Sequence, residues 1–317
     1  MIVSVSAAAG PSIASAILSI TSWHWLFIIN VPIAIASLML SVFFLDKSKP
    51  SKAQFDRAGA VLVFTLALMF SFFVIGLTKE IAVMAMVSFA AFVLILEVLY
   101  LDQRRKADKA LIPIALFNKT LTLSLMMSTL SYSTQLLAYV SLPFYFHNVL
   151  HRDVVETGLL ITAWPLATTV TSLAADELLK RYDCNIIASV GVCLLLAGMV
   201  LMVMLQAIPG KTDIIWQVAL CGAGFGLFQS PYNYLIMTSV SDENTSMASG
   251  LPGSSRLLGQ IIGSAMVAIY FNIIEAQAIE FSLLSCAGFC LLSLLVSFLL
   301  FIQSLKNRVI THGDKAQ

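Results

Sequence analysis

Long apolar runs, separated by short polar ones, cover nearly the whole chain. Taking each run of about twenty residues as one crossing of a bilayer's hydrocarbon core gives ten: 2–20, 26–45, 58–77, 81–101, 121–146, 155–178, 186–207, 214–240, 248–273 and 281–301. The runs are continuous rather than alternating every second residue, so a lipid-facing β-barrel is excluded. The pattern therefore predicts an all-α polytopic membrane protein. Runs 58–77 and 81–101 are separated by three residues, Thr78-Lys79-Glu80, which predicts a tight helical hairpin. The segment Leu111 to Phe117 is short and amphipathic beside a basic stretch, a pattern that lies in the membrane interface.

The charges sort with the spans. If Met1 stands on the cytoplasmic side, Lys47, Lys49, Lys52, Arg57, Arg104, Arg105, Lys106, Lys109, Lys119, Lys180, Arg181, Lys306, Arg308 and Lys315 all face the cytoplasm. Lys79, Arg152 and Lys211 face outward, and Arg256 falls inside a span. Fourteen of the 18 cations on one side is the asymmetry expected of a membrane protein with both ends in the cytoplasm, and one miscounted span would scramble it. Composition agrees, with 59% hydrophobic and 11% charged residues. A net charge of +1 gives no sign of a nucleic-acid partner. No cleavable signal peptide is expected, since the first run lacks a basic leader and is followed at once by another span.

Polar residues on otherwise apolar spans are the candidate ligand contacts, because in lipid such groups turn to the bundle interior. Tyr132, Gln135 and Tyr139 are spaced i, i+3, i+7 and share a helix face. Trp164 joins them from the next span, and Gln229, Tyr232, Asn233 and Tyr234 from the run after residue 214. The competing reading of the same residues is hydrogen bonding between helices without any ligand. Met126 and Met127 would add adaptable apolar surface. Pro231 frees a carbonyl inside the membrane, a break tolerated where it lines a cavity. Gly222, Gly224 and Gly226 have no preceding strand and no following Lys-Ser/Thr, so they read as a packing seam rather than a nucleotide loop.

Arg256, Gly259, Gln260 and Gly263 follow i, i+3, i+4, i+7, which predicts a charge on the close-packing face with Asp176, Asp242 or Glu243 as a partner. The role expected of this set is structural or gating. His147 and His151 stand four apart, but no Glu stands beside His147 and both lie at an outer loop with Arg152 and Asp153, and the five cysteines have no metal-ligand spacing, so no metal site is expected. No HExxH, GxSxG or acid–hydroxyl–imidazole set occurs, which argues against an enzyme.

The first run contains SAAAGPSIAS, in which Ser6, Gly10 and Ala14 are four apart and Pro11 interrupts the helix. With Trp23, Trp25 and the span beginning LFIINVP, it resembles the fifth and sixth spans of major facilitator transporters of the fourteen-span drug:proton antiporter family. That family's antiporter motif reads GxxxGPxxGG, and here Ser6, Ala14 and Ser15 replace three of its glycines. YSTQLLAYVSLPFYFHNVL from Tyr132, IIWQVALCGAGFGLFQSPYNYLIM from Ile214 and ASGLPGSSRLLGQIIGSAMVA from Ala248 are similar to the same family. ADELLKRYDC departs from it, having Ala175-Asp176-Glu177 where a glycine usually precedes the basic pair.

The resemblance implies a major facilitator fold with ten of fourteen helices present. Residues 1–45 would be the last two helices of an N-terminal six-helix domain, 46–117 a linker with two extra helices, 118–305 the C-terminal six-helix domain and 306–317 a tail. It further implies a monomer in a bacterial inner membrane that exports small lipophilic or cationic substrates. No cofactor is implied beyond a proton gradient, and the coupling acid is expected in helices outside this chain. The acids within it, Glu97, Asp102, Asp176, Glu177, Glu275 and Glu280, all stand near a membrane surface. A non-transporting membrane scaffold or an inactive fragment is the rival expectation.

Overall fold

The computed structural model describes residues 10, 13–44, 56–106, 116–204, 209–240, 249–274 and 277–313, with side chains to 303. Every element among them is a helix, and no strand occurs. Residues 13–20 are helical and precede α1 (Trp25–Ile28) and α2 (Asn30–Phe44). The hairpin follows as α3 (Arg57–Thr78) and α4 (Ala82–Lys106). Six more helices are α5 (Lys119–Phe144), α6 (Val154–Leu178), α7 (Cys184–Val203), α8 (Lys211–Thr238), α9 (Leu251–Ile269) and α10 (Ala278–Gly313). Single π-turns, Tyr145–Val149 and Tyr270–Ile274, extend α5 and α9.

Seven helices are both long and apolar enough to cross a membrane among the described residues. The difference from the ten expected has a physical cause. Residues 2–9, 11 and 12 of the first run lie outside the described residues, while α5 and α8 have the length, at 26 and 28 residues, but are more polar. Ser124, Ser128, Ser131, Ser133 and Thr134 on α5, and Gln217 on α8, are buried against other helices. A helix enclosed by protein can carry hydroxyls and amides that a lipid-facing one cannot.

Acidic and amide side chains close the helix starts. Asp56 accepts from Gly59 N at 2.9 Å, Asn118 from Leu121 N at 2.8 Å, Asp153 from Glu156 N at 2.7 Å and Asp183 from Asn185 N at 2.9 Å. Each satisfies a donor that the first turn would leave unpaired. Within the hairpin, α3 and α4 pack along their length, and a Cβ on Gly76 would lie 2.6 Å from the backbone nitrogen of Ala85.

From α5 onward the helices form one bundle. α5 packs on α9 and α10, α8 packs on α6 and α7, and α7 meets α10 to close the circuit. The seams rely on glycine, which lets backbones approach within van der Waals distance. A Cβ on Gly224 would meet Leu195 N and the Gly191 carbonyl, and one on Gly263 would sit 2.7 Å from the Ser133 carbonyl. The core is the buried apolar set of these helices, including Leu137, Trp164, Leu195, Val218, Phe225 and Phe228. By contrast α2 buries nothing, and Phe43 and Phe44 are about four-fifths exposed, at 80% and 81%.

Candidate functional site

Three helices bring most of the expected contact residues together. On α5, Tyr132 is buried, and its hydroxyl accepts from the Gln229 Nε2 amide of α8 at 3.3 Å. Its ring meets Phe225 edge-on, with centroids 5.2 Å apart and planes at 77°. Two turns on, Tyr139 stands edge-on to Trp164 of α6, also at 5.2 Å, with planes at 72°. Gln135 lies between the two tyrosines on the same helix face, half-buried. Tyr132, Gln135, Tyr139, Trp164 and Gln229 thus form one aromatic and amide cluster at the α5/α6/α8 junction. Asn233 follows Gln229 one turn later and is half-buried.

α8 holds its share of the cluster through close packing. Gly222 faces the Trp164 carbonyl, and the Thr168 hydroxyl donates to the Gly222 carbonyl at 2.9 Å. Gly226 faces the Thr168 backbone one turn further. Any side chain at these positions would push α8 off α6 and open the junction. The Trp164 side chain is fully buried, yet its indole N–H has no acceptor among the described residues. An unpaired buried donor costs about 1–3 kcal/mol.

Tyr232 is placed differently from its neighbours. Its ring stacks on Phe228 with centroids 5.3 Å apart, and its hydroxyl meets Ser255 Oγ at 2.6 Å, which in turn meets Ser128 Oγ at 3.0 Å. Through these hydroxyls Tyr232 joins α8, α9 and α5. Tyr234, on the opposite side, is 54% exposed. The hydroxyls of Ser128 and Ser255 were not legible as a node, since serines recur throughout both helices. Phe225 could have been found, because Phe225, Gln229 and Tyr232 follow i, i+4, i+7.

The packing of α9 corrects the expected place of Arg256. Gly259 and Gly263 do press on α5, against Thr129 and Ser133, but the i, i+4 ridge that carries them begins at buried Ser255. Arg256, one residue or 100° further round, is exposed, and it forms no ion pair among the described residues. Asp176 is exposed as well, while Asp242 and Glu243 lie outside the described residues. Arg256 remains within electrostatic reach of Tyr132. From the first run, Gly10 has nothing within 4 Å of an added Cβ and Ala14 is half-buried, whereas Ser6 and Pro11 lie outside the described residues.

His147 Nδ1 is 2.9 Å from the Arg152 carbonyl, and Arg152 reaches Glu156 at 3.2 Å and the Pro209 carbonyl at 2.8 Å. This corner fastens one end of α5, α6 and α8. Among the described residues no group of three His, Cys, Asp or Glu could hold a metal ion.

A bundle of long apolar helices, with a buried aromatic and amide cluster where three of them meet, is the setting in which family comparison becomes informative. Residues 1–264 match the model of the Major Facilitator Superfamily. The chain belongs to this superfamily. It is 41% identical over 308 residues to the uncharacterized transporter YebQ of Escherichia coli, covering 95% of this chain and 67% of that protein. Similarity at 23% extends to the multidrug efflux pump SdrM of Staphylococcus aureus, over 85% of this chain and 60% of the pump. At 25% it extends to the multidrug resistance protein Stp of Mycobacterium tuberculosis, over 84% of this chain and 50% of that protein. The chain therefore spans half to two-thirds of the length of these relatives. Membership places the chain in a superfamily of multi-pass, non-enzymatic membrane transporters.

Proposed function

We propose that the chain forms part of an exporter of small lipophilic or cationic compounds in a bacterial inner membrane. In this reading the bundle α5–α10, residues 118–305, is one domain of an alternating-access pair. The observation that carries it is the cluster of Tyr132, Gln135, Tyr139, Trp164 and Gln229. It offers aromatic edges and faces, two amides and one unpaired indole donor at a three-helix junction. Such a surface favours flat apolar molecules with a polar or cationic group, through ring contact and a few convergent hydrogen bonds. Similarity to two proteins named for multidrug efflux or resistance supports the substrate class. The fourteen-span family is proposed from the motifs around Gly10 and Pro11, with proton coupling as its driving force and both ends of the chain on the basic, cytoplasmic side. Arg256, on the exposed flank of α9, is proposed as a gating cation.

The test is export of a fluorescent lipophilic cation from cells, comparing this chain with a version extended to the full length of YebQ. Gradient-dependent export that falls at least several-fold in Gln229→Ala and Tyr139→Ala supports the reading. Export unchanged by both substitutions overturns the assigned site. Absence of export from the extended version under a proton gradient overturns the function.

A further inference from the structure

At the end of the bundle where α5 and α7 finish and α10 begins, the three helices leave a cavity of about 300 Å³ between them. The π-turn that extends α5 supplies Tyr145 and Val149 to its wall, and α7 supplies Met202. Gln277, Glu280 and Leu283 come from the start of α10. A π-turn takes one extra residue into the helix and is frequent at functional sites, and here both residues that bound it line the cavity. No residue of α6, α8 or α9 does so. Tyr145 stands six residues beyond Tyr139, about 9 Å along α5 and about 120° round it, so the cavity is separate from the aromatic and amide cluster.

The walls are apolar except for groups that accept protons or hydrogen bonds. The Tyr145 hydroxyl, the Gln277 amide and the Glu280 carboxylate have no hydrogen bond or ion pair among the described residues. One turn before Tyr145 on the same face of α5, the Ser141 hydroxyl is fully buried and also lacks a partner. No cation lines the cavity. Residues 205–208 and 275–276, beside it in the chain, lie outside the described residues and include no cation. Arg152 and Lys211, at the same end of the bundle, are engaged by Glu156. The cavity is therefore apolar and acidic together, with its polar capacity unused by the protein.

We propose that this cavity binds a small organic ammonium with an apolar body. The ammonium donates to the Glu280 carboxylate and to the Gln277 side-chain carbonyl, and the Tyr145 ring adds its negative face. The apolar body lies against Val149, Leu283 and Met202, whose thioether adapts to different shapes. A volume at the lower limit of small-molecule pockets restricts the ligand to one ring or a short chain. A free amine and the headgroup of an ethanolamine phospholipid both present this chemistry at a membrane surface. The site does not depend on the exporter reading, since none of its residues belongs to the cluster.

The test is isothermal titration calorimetry of the purified chain in detergent at neutral pH, with 2-phenylethylamine as the cation and 2-phenylethanol as its neutral counterpart. The amine is expected to bind about tenfold more tightly than the alcohol, and Glu280→Gln to remove that difference. Ile279→Trp, on the same wall, fills the cavity and should abolish binding of both. Tyr139→Ala, remote from it, should change amine binding by less than about twofold. Circular dichroism checks folding, and Glu280→Gln, at an exposed position, decides alone if Ile279→Trp fails to fold. Displacement of the amine by dihexanoylphosphatidylethanolamine and not by dihexanoylphosphatidylglycerol assigns the site to a lipid headgroup, and displacement by neither assigns it to a free amine. Equal affinity for amine and alcohol, unchanged amine binding in Glu280→Gln, equal loss in Tyr139→Ala, or displacement by both lipids alike would each overturn the site.

Discussion

Two fully buried aromatic residues, Tyr232 and Trp164, differ in whether their polar atoms are satisfied. Tyr232 has its hydroxyl satisfied by Ser255 at 2.6 Å, so Tyr232→Phe removes a buried hydrogen bond and costs about 1 kcal/mol of stability. The expected outcome is a melting temperature lowered by a few degrees with substrate affinity unchanged. Trp164 has the reverse profile, because its N–H is buried without a partner and Trp164→Phe loses no bond inside the protein. Melting of that variant should stay nearer the parent's than Tyr232→Phe, while affinity for compounds bearing a hydrogen-bond acceptor falls by about an order of magnitude. Thermal denaturation and fluorescence binding on the same purified samples decide between the two patterns. Equal behaviour of the two variants would remove the distinction drawn here. The i, i+3, i+7 spacing made the face of Tyr132, Gln135 and Tyr139 legible in the sequence. Periodicity carries no information about which hydroxyl is satisfied, and so Tyr232 and Trp164 looked alike until the helices were packed.

Helix seams set how far the junction can open. Gly259 meets Thr129, Tyr132 and Ser133 of α5, and an added Cβ would lie 2.8 Å from the Tyr132 Cβ and 3.0 Å from Ser133 N. Backbone cannot give as a side-chain tip can, so Gly259→Ala should cost about 1–3 kcal/mol and displace Tyr132 from Gln229. The measurement is a lowered melting temperature together with weaker substrate binding. Gly288→Ala is the matched control, since nothing lies within 4 Å of an added Cβ there, and it should leave both unchanged. The glycine pattern in α8 and α9 was readable as close packing from spacing alone. The sidedness of Arg256 was not, because i, i+3 and i, i+4 partners of Gly259 lie on either flank of the same ridge. Only the burial of Ser255 and the exposure of Arg256 show which flank faces α5. Likewise, hydropathy underrates α5 and α8 for the reason that makes them central: hydroxyls and amides such as Ser128, Ser131 and Gln229 face neighbouring helices and bond across to them.

At the scale of the whole molecule, orientation follows from where the unpaired cations end up. Arg104, Arg105 and Arg181 are exposed at one end of the bundle, and the hairpin turn at Lys79 and the corner at Arg152 and Lys211 lie at the other. At that second end Arg152 and Lys211 share Glu156, at 3.2 and 3.4 Å, so two of its three cations are partly neutralised. In the orientation proposed above, the first end is the cytoplasmic one, as the excess of Lys and Arg there predicts. Single cysteines placed at Lys79 and Lys211, in a background where the native cysteines are replaced by serine or alanine, should react with a membrane-impermeant maleimide in intact cells. Cysteines at Arg105 and Arg181 should react only after the membrane is opened. Glu156→Gln would leave Arg152 and Lys211 unneutralised and reduce the contrast between the two ends. The fraction of correctly oriented protein should therefore fall in that variant, and fall further when Arg104 and Arg105 are also replaced by glutamine. Labelling at position 211 reports both effects. If that signal stayed constant across the series, orientation would be set by the spans themselves and not by the balance of free charge.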